Sequence, residues 1–373
     1  MKIVHVIEPF AAGVAVFVKS LTETMPEDLH IVIHGERKQI MSARQVKLSF
    51  PKQNVRFLRW KSVQRSINPF KDLLALKELV AMLKRLKAKQ LVDAVHLHSS
   101  KSGLLGRIAC RLAGIKNVIY TPNGAPFLSA GNGLLSFFYK QLEKVGNSLG
   151  GKVVCCSASE SLEYRKLGIS NSYVNNGVSM FPLKKRRQST FKKNTFCVIT
   201  SGRIEEQKNP ALFNAIAAYF EDFDQVEFIW AGDGADRHLL TAGNIKITGW
   251  LDSDAVSELV SQAHVYLSTS LYEGLSFGVL EALALRKPVL LSNCVGNVDV
   301  IKNGLNGDIF DNETEAIMKL LGFFNNREMV EVMGDYSHEI CAADFNLDQN
   351  YLSYKDIYLE YQATVAAKTA SSR

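Results

Sequence analysis

No stretch of this 373-residue chain approaches the roughly 18 uninterrupted apolar residues that a membrane-spanning helix needs. A helical integral membrane protein is therefore excluded. Nor is there a positively charged, apolar leader: "MKIVHVIEPF" reads as a buried strand after a single lysine. The expected location is cytoplasmic, with at most peripheral attachment to the inner face of the cytoplasmic membrane. The six cysteines (Cys110, Cys155, Cys156, Cys197, Cys294, Cys341) include no C-x-x-C pair, and the adjacent Cys155 and Cys156 cannot easily bridge one another. Thiols scattered in apolar contexts are expected to be reduced core residues, with no metal site. Internal repeats, low-complexity tracts and a full G-x-G-x-x-G dinucleotide fingerprint are also missing.

Charge is unevenly distributed. Residues 1–178 hold 26 Lys and Arg against 11 Asp and Glu, a balance of +15, whereas residues 179–373 hold 18 against 26, a balance of −8. The first half is expected to face something anionic: phospholipid, a phosphorylated substrate or nucleic acid.

Short apolar runs alternate with longer amphipathic ones. "KIVHVI", "LHIVIHG", "AVHLH", "NVIYTPN" and "KVVCCS" read as buried strands, with helices such as residues 73–89 and 101–114 between them, the second ending at Gly114. The pattern restarts with "TFCVITSG", "VEFIWAGDG", "NIKITGWL", "HVYLSTS" and "KPVLLSN". Two βα series predict two α/β, Rossmann-like, doubly wound domains facing each other across a cleft. We place them at residues 1–180 and 181–349, with a tyrosine-rich helix at about 350–366 packing back on the first. The basic segment 180–194 reads as the connection, either solvated or anion-binding.

Ligands of such sheets bind beyond the carboxyl ends of the strands. There "EPFAAGVAVFVKSL" opens a helix around Gly13, either a plain tight turn or a close approach to a phosphate or sugar. "GRIEEQKNP" brings Arg203 and Lys208 to a strand end, with Asn209 and Pro210 as helix cap and first helical residue. These cations suit a diphosphate, although exposed surface cations would look the same.

"LYEGLSFGVLEALALRKPVL" puts two acids, Glu273 and Glu281, in an apolar stretch with a helix starting near Phe277. A buried carboxylate needs partners. An ion pair is one possibility, but the nearest local cations, Arg286 and Lys287, are at the wrong helix end. The N–H groups of Gly278, Val279 and Leu280 are expected to meet an anion in the first helical turn. Hydroxyl groups of a ligand would then satisfy the acids.

Taken in order, "NNGV", "SGRIEEQKNP", "WAGDG", "EGLSFGVLEALA" and "CVGNVDVIKNGLNGDIF" resemble the motifs of the retaining GT-B glycosyltransferases of family 4, with Asp299 where Glu is usual. "LHSSKSGLLGRIACRLAGIKNVIYTPNG" resembles bacterial members that build O-antigen or capsule on polyprenyl-diphosphate carriers. The resemblance implies a metal-independent hexosyltransferase with no cofactor. It would move a hexose or N-acetylhexosamine from a nucleotide-sugar, UDP before GDP, to a lipid-linked saccharide in polysaccharide biosynthesis. It also implies that Arg203 and Lys208 hold the donor diphosphate and that Glu273 binds sugar hydroxyls. The backbone of Gly274, Leu275, Ser276, Phe277, Gly278, Val279 and Leu280 would bind sugar and phosphates, with Gly202 on the same rim. Glu281 would take the ribose, Trp250 and Leu251 the base, and Gly13 would approach the donor from the first domain. Asn123 in "TPNG" stands where relatives carry histidine, so a titrating role there is lost. His98, Ser99 and Lys101 at a helix start are candidates for the acceptor phosphate. His96 and His98 share a strand face but lack a third metal ligand.

The basic half then reads as an anionic membrane contact, through residues 73–89 and 131–146, or as solubilising charge. Two other readings remain: a different GT-B enzyme such as a sugar-nucleotide epimerase or a phosphorylase, and a nucleic-acid-binding protein using the basic half.

Overall fold

A computed structural model describes residues 1–36, 43–64, 66–129, 133–180 and 195–370. Residues 181–194 of the expected connection lie outside the described residues. The chain forms two compact units, Met1–Asn176 with Leu347–Arg373, and Gly177–Asn346.

The first unit holds seven parallel strands: β1 (Lys2–Ile7), β2 (Leu29–His34), β3 (Val55–Arg59), β4 (Ala94–His98), β5 (Val118–Thr121), β6 (Lys152–Cys155) and β7 (Asn171–Tyr173). Their order is β3-β2-β1-β4-β5-β6-β7, so the winding direction reverses between β1 and β4. The helices are α1 (Ala12–Thr24), α2 (Ala43–Leu48), α3 (Pro69–Ala88), α4 (Ser100–Ala113), α5 (Leu134–Ser148) and α6 (Ala158–Lys166). The central strands carry side chains buried on both faces, as a doubly covered parallel sheet requires. On one face Val4, Val6, Val95 and Leu97 pack with Leu79 and Leu83 of α3 and Ala109 of α4. Helix α4 stops where Gly114 takes a left-handed conformation (φ 65°), as its position in the sequence predicts.

The second unit repeats the design with β8 (Phe196–Ser201), α7 (Pro210–Tyr219), β9 (Val226–Ala231), β10 (Ile245–Ile247), α8 (Ser253–Gln262), β11 (Val265–Ser268), α9 (Phe277–Ala284), β12 (Val289–Ser292), β13 (Gly307–Phe310), α10 (Glu313–Asn325) and α11 (Arg327–Asp344). Strand order is β10-β9-β8-β11-β12-β13, and the reversal falls between β8 and β11. The core on one face is aromatic, with Phe196, Phe213, Phe220, Phe228 and Trp230.

The last helix, α12 (Leu347–Ala370), returns to the first unit and packs on α1. Tyr351, Tyr354 and Tyr358 lie on one of its faces and are fully buried. Each contributes about 2–3 kcal/mol of apolar burial.

Candidate active site

In each unit the switch point of the sheet creates a rim of loops, and several of the sequence-predicted residues lie there. In the second unit, strands β8 and β11 are neighbours, so the loops that follow them meet. They are stitched together: Leu271 N–H donates to the Gln207 carbonyl (2.9 Å), and the Thr269 hydroxyl donates to the Lys208 carbonyl (2.7 Å). Asn209 caps α7 by accepting from Leu212 N–H (3.3 Å), with Pro210 as the first helical residue.

This stitching delivers Lys208 to Glu273. The Lys208 Nζ donates to Glu273 Oε1 at 2.7 Å, and the Ser270 hydroxyl donates to the same oxygen at 2.7 Å. Burial works against the Lys208 ammonium, but the Glu273 carboxylate beside it wins and raises its pKa. The sequence weighed only the local cations Arg286 and Lys287, and for Glu273 the structure supplies a distant one. The partner comes from 65 residues earlier in the chain, through sheet register. The local cations are engaged elsewhere, Arg286 with Asp335 and Lys287 with the carbonyls of Ser261 and Ala263.

Arg203, on the same loop as Lys208, pairs with Glu205 at 2.7 Å and stays partly exposed. Gly202 is held by Trp230, whose indole N–H donates to its carbonyl at 3.0 Å. Helix α9 begins at Phe277 as predicted. A side chain at Gly278 would come within 2.5 Å of the Tyr266 hydroxyl, so glycine lets the first turn lie against the strand ends. The expected donor set shifts by one, because Leu280 N–H already bonds the Ser276 carbonyl at 3.1 Å. Phe277, Gly278 and Val279 are the residues whose N–H groups find no carbonyl within the helix.

The carboxylate of the half-buried Glu281 makes no hydrogen bond among the described residues, and desolvation raises its pKa to about 7. Gly274, Leu275 and Ser276 are buried beneath this rim, while Trp250 and Leu251 are exposed, at 51% and 39%.

Gly13 is exposed in the first turn of α1. Asn123 takes a left-handed conformation (φ 55°), its amide donating to the Thr121 carbonyl at 3.2 Å. The loop behind it hangs on a residue that sequence reading missed. The buried Glu160 accepts from Gly124 N–H and Cys156 N–H, both at 2.9 Å. Its signal was the S-x-x-E spacing from Ser157, which caps α6.

The acceptor candidates are engaged within the first unit. His98 is fully buried, with Nε2 facing His5 Nδ1 at 3.1 Å, so it sits beneath the rim rather than on it. Lys101 is already used: its Nζ lies 2.7 Å from Asp72 Oδ1 and donates to the Ser66 carbonyl at 2.6 Å. Ser99 donates its hydroxyl to the Glu8 carbonyl across the switch point.

The third ligand judged missing for the two β4 histidines exists, because His5 of β1 stands in register with His96. Ring nitrogens of His5, His96 and His98 lie within 4.8 Å of one another. The trio includes no carboxylate, and a hydrogen-bond network accounts for most of these nitrogens. His5 joins His98 to His30 (3.1 and 3.0 Å), and His96 bridges the Tyr358 hydroxyl and the Thr121 hydroxyl (2.7 and 2.8 Å). Burial first, and neighbouring imidazoles second, hold His5, His96 and His98 well below the ordinary histidine pKa.

Two family models between them take up most of the chain: Glycosyltransferase Family 4 matches residues 11–180, and Glycosyl transferases group 1 matches residues 183–339. The chain belongs to the GT-B glycosyltransferases of family 4. A relative from Escherichia coli, UDP-Gal:alpha-D-GlcNAc-diphosphoundecaprenol alpha-1,3-galactosyltransferase, is 28% identical over 79% of this chain and 81% of its own. An uncharacterized 41.2 kDa protein from the cps region of Klebsiella pneumoniae is 24% identical over 97% of this chain and all of its own. Among solved structures, sucrose-phosphate synthase from Thermosynechococcus elongatus superposes with a TM-score of 0.82 at 16% identity, covering 98% of this chain and 100% of that one. The Anabaena protein HepE in complex with UDP-glucose gives a TM-score of 0.72 at 14% identity, with both chains fully covered. The expected two-domain GT-B fold and glycosyltransferase class therefore hold.

Proposed function

We propose that this enzyme transfers a hexose or N-acetylhexosamine from a UDP-sugar to a polyprenyl-diphosphate-linked saccharide, with retention of anomeric configuration and without a metal. The observation that carries the donor reading is the pair of differently placed acids on the second unit's rim. Glu273 is held by Lys208 and Ser270, whereas the carboxylate of the half-buried Glu281 makes no hydrogen bond among the described residues. Ribose hydroxyls donating to Glu281 would supply the bonds it lacks. The names of the Escherichia coli relative and of the HepE complexes support UDP over GDP and a lipid-linked acceptor.

In this reading the diphosphate lies between Arg203, Lys208 and the free N–H groups at the start of α9. Charge then builds on the leaving phosphate in front of donors that are already oriented. Lys208 trades part of its contact with Glu273 for the diphosphate, and Glu273 turns to donor-sugar hydroxyls. The acceptor hydroxyl attacks from the face the nucleotide leaves, and a phosphate oxygen of the leaving group takes its proton. The glycosidic bond forms as the sugar–phosphate bond breaks, so no covalent enzyme intermediate is needed. The enzyme works at the cytoplasmic face of the membrane that holds its acceptor. Among the described residues, no helix is long and apolar enough to cross that membrane.

A thermal-shift screen of UDP, GDP and their sugars, followed by nucleotide release with lipid-linked acceptors, tests the assignment. Stabilisation by UDP compounds is expected. A larger shift with GDP compounds would move the donor to a GDP-sugar. Product anomer by NMR tests retention, and unchanged turnover in EDTA tests metal independence. If no nucleotide stabilises the protein and Glu273→Ala leaves every activity intact, the reading fails.

A further inference from the structure

We infer that the first turns of α3 and α5 form the surface by which this protein sits on an anionic phospholipid bilayer. The inference rests on the lipid-linked acceptor proposed above and goes on to name the side chains that meet the lipid. Two groups of large apolar side chains in the first unit face solvent. Before and within the start of α3 these are Ile67 (62% exposed), Phe70 (86%), Leu73 (52%) and Leu74 (57%). At the start of α5 they are Leu134 (90%), Leu135 (54%), Phe137 (61%) and Phe138 (47%). Single exposed apolar residues are ordinary, but clusters of four are not.

Topology puts the two groups on one edge. All strands of this sheet are parallel, and α3, α4 and α5 each lead from the carboxyl end of one strand to the next. Helix α4 packs between α3 and α5, so the three form one layer with their first turns at the rim end. Lys101, in the first turn of α4, is tied to Asp72 of α3 and to the Ser66 carbonyl just before it. The apolar tip of α3 thus adjoins the rim proposed to receive the acceptor.

The charges choose the partner. Helices α3 and α5 hold only three acids, and each is engaged within the protein. Asp72 pairs with Lys101, Glu78 accepts from Lys61 and Ser62 N–H (2.9 and 2.8 Å), and the buried Glu143 accepts from the Tyr120 hydroxyl (2.9 Å). Lys71, Lys77, Lys84 and Lys144 point outward and make no ion pair among the described residues. Apolar side chains beside the exposed, unpaired Lys71 and Lys77, with Lys84 and Lys144 farther along the same helices, match an anionic lipid interface, where the chains enter the headgroup layer and the ammonium groups remain at phosphate level. The surface begins earlier than the expected residues 73–89, at Ile67 and Phe70, and falls within the expected 131–146 for α5. Apolar contact comes from the first turns of residues 69–74 and 134–138, while the later turns of α3 add only charge.

The test is co-sedimentation with vesicles of phosphatidylethanolamine and phosphatidylglycerol, against vesicles of phosphatidylcholine alone. Wild type should bind the anionic vesicles and leave the neutral ones. The double variants Phe70→Ser with Leu74→Ser, and Leu134→Ser with Phe137→Ser, should each weaken binding about tenfold or more, with melting curves and nucleotide-induced shifts unchanged. Lys71→Glu with Lys77→Glu should weaken it similarly at low salt and less at high salt. Unaltered vesicle binding by the apolar variants overturns the proposal. So does a wild-type dimer that these variants turn into monomers, because the faces would then cover each other. Vesicle binding without any nucleotide-induced shift would instead sink the donor reading and leave this surface standing.

Discussion

The two units share one topology and bury opposite kinds of chemistry. In the first, five of the chain's eight histidines are buried, together with three tyrosines of α12, directly beneath the switch point. In the second, the same layer is aromatic and aliphatic, and the ionisable groups stand on the rim itself. Net charge divides the same way: 29 Lys and Arg against 14 Asp and Glu in the first unit, and 15 against 23 in the second. A doubly wound sheet fixes where loops converge, but not whether polar groups serve the interior or a ligand. Here one copy spends its polar residues on internal hydrogen bonds, and the other keeps a lysine, an arginine and two carboxylates at the surface that would meet a donor.

Acid should separate the units most strongly. Burial holds His5, His96 and His98 well below the ordinary value, lowers His30, and takes His34 to about 4. The unfolded chain binds these protons near pH 6.5 and the folded one does not. Stability is therefore full above pH 6.5 and is lost as pH falls from there, at up to about 1.4 kcal/mol per histidine per pH unit. Several kcal/mol should disappear between pH 6.5 and 5.5. Hydrogen exchange across that range should show β1, β4 and α12 opening before β8 and β11. Equal protection of the two sheets down to pH 5 would mean that the histidine layer is not the weak point.

The rim of the second unit is the next largest lever. Lys208→Ala should lower kcat by about 10²–10³-fold, the usual cost of removing a donor from developing oxyanion charge. It also leaves the buried Glu273 with Ser270 as its nearest donor. A thermal melt run beside the kinetics separates misfolding from lost catalysis. A variant of near-normal kcat would return Lys208 to the status of a structural ion-pair partner.

The sequence made the central strands and the cap at Asn209–Pro210 readable, because apolar runs bounded by turn residues are local signals. Edge strands β3 and β7 were missed since they are short and largely half-exposed or exposed, and β13 because its "GDIF" carries a glycine and an aspartate. The motif of two acids was legible as well, but the Lys208–Glu273 pair was not. Sheet register, which no local pattern encodes, brings those loops together. The same limit hid His5 from His96, and the burial of His98. Motif order could suggest where a ligand meets the chain, whereas burial depends on the helix that returns from the end of the sequence.

Glu281 should give a smaller, pH-shaped effect. With a pKa raised to about 7 by burial, its carboxyl loses the proton as pH rises through neutrality. The ionised form accepts from the ribose hydroxyls through charge-assisted bonds, stronger than those the neutral acid can accept. UDP should therefore bind more tightly above pH 7 than below it, by up to about tenfold per pH unit on the acid side. Glu281→Gln should flatten that profile. Calorimetric titration at pH 6, 7 and 8 measures it, and identical profiles for the two proteins would remove Glu281 from the donor site.

The smallest expected effect returns to the first unit. Tyr358 reaches from α12 to His96 at 2.7 Å, and the other nitrogen of that ring is taken by Thr121 at 2.8 Å. Tyr358→Phe keeps the ring and its packing but leaves one buried imidazole nitrogen without a partner, at a cost of about 1–3 kcal/mol. For a unit of this size each kcal/mol lowers Tm by about 2–4 °C. The nucleotide-induced shift should keep its wild-type size, because the donor rim belongs to the other unit. If Tyr358→Phe instead abolished that shift while barely moving Tm, the division of labour between a polar interior in one unit and a polar rim in the other would be wrong. The last helix would then belong to the donor site rather than to the histidine layer.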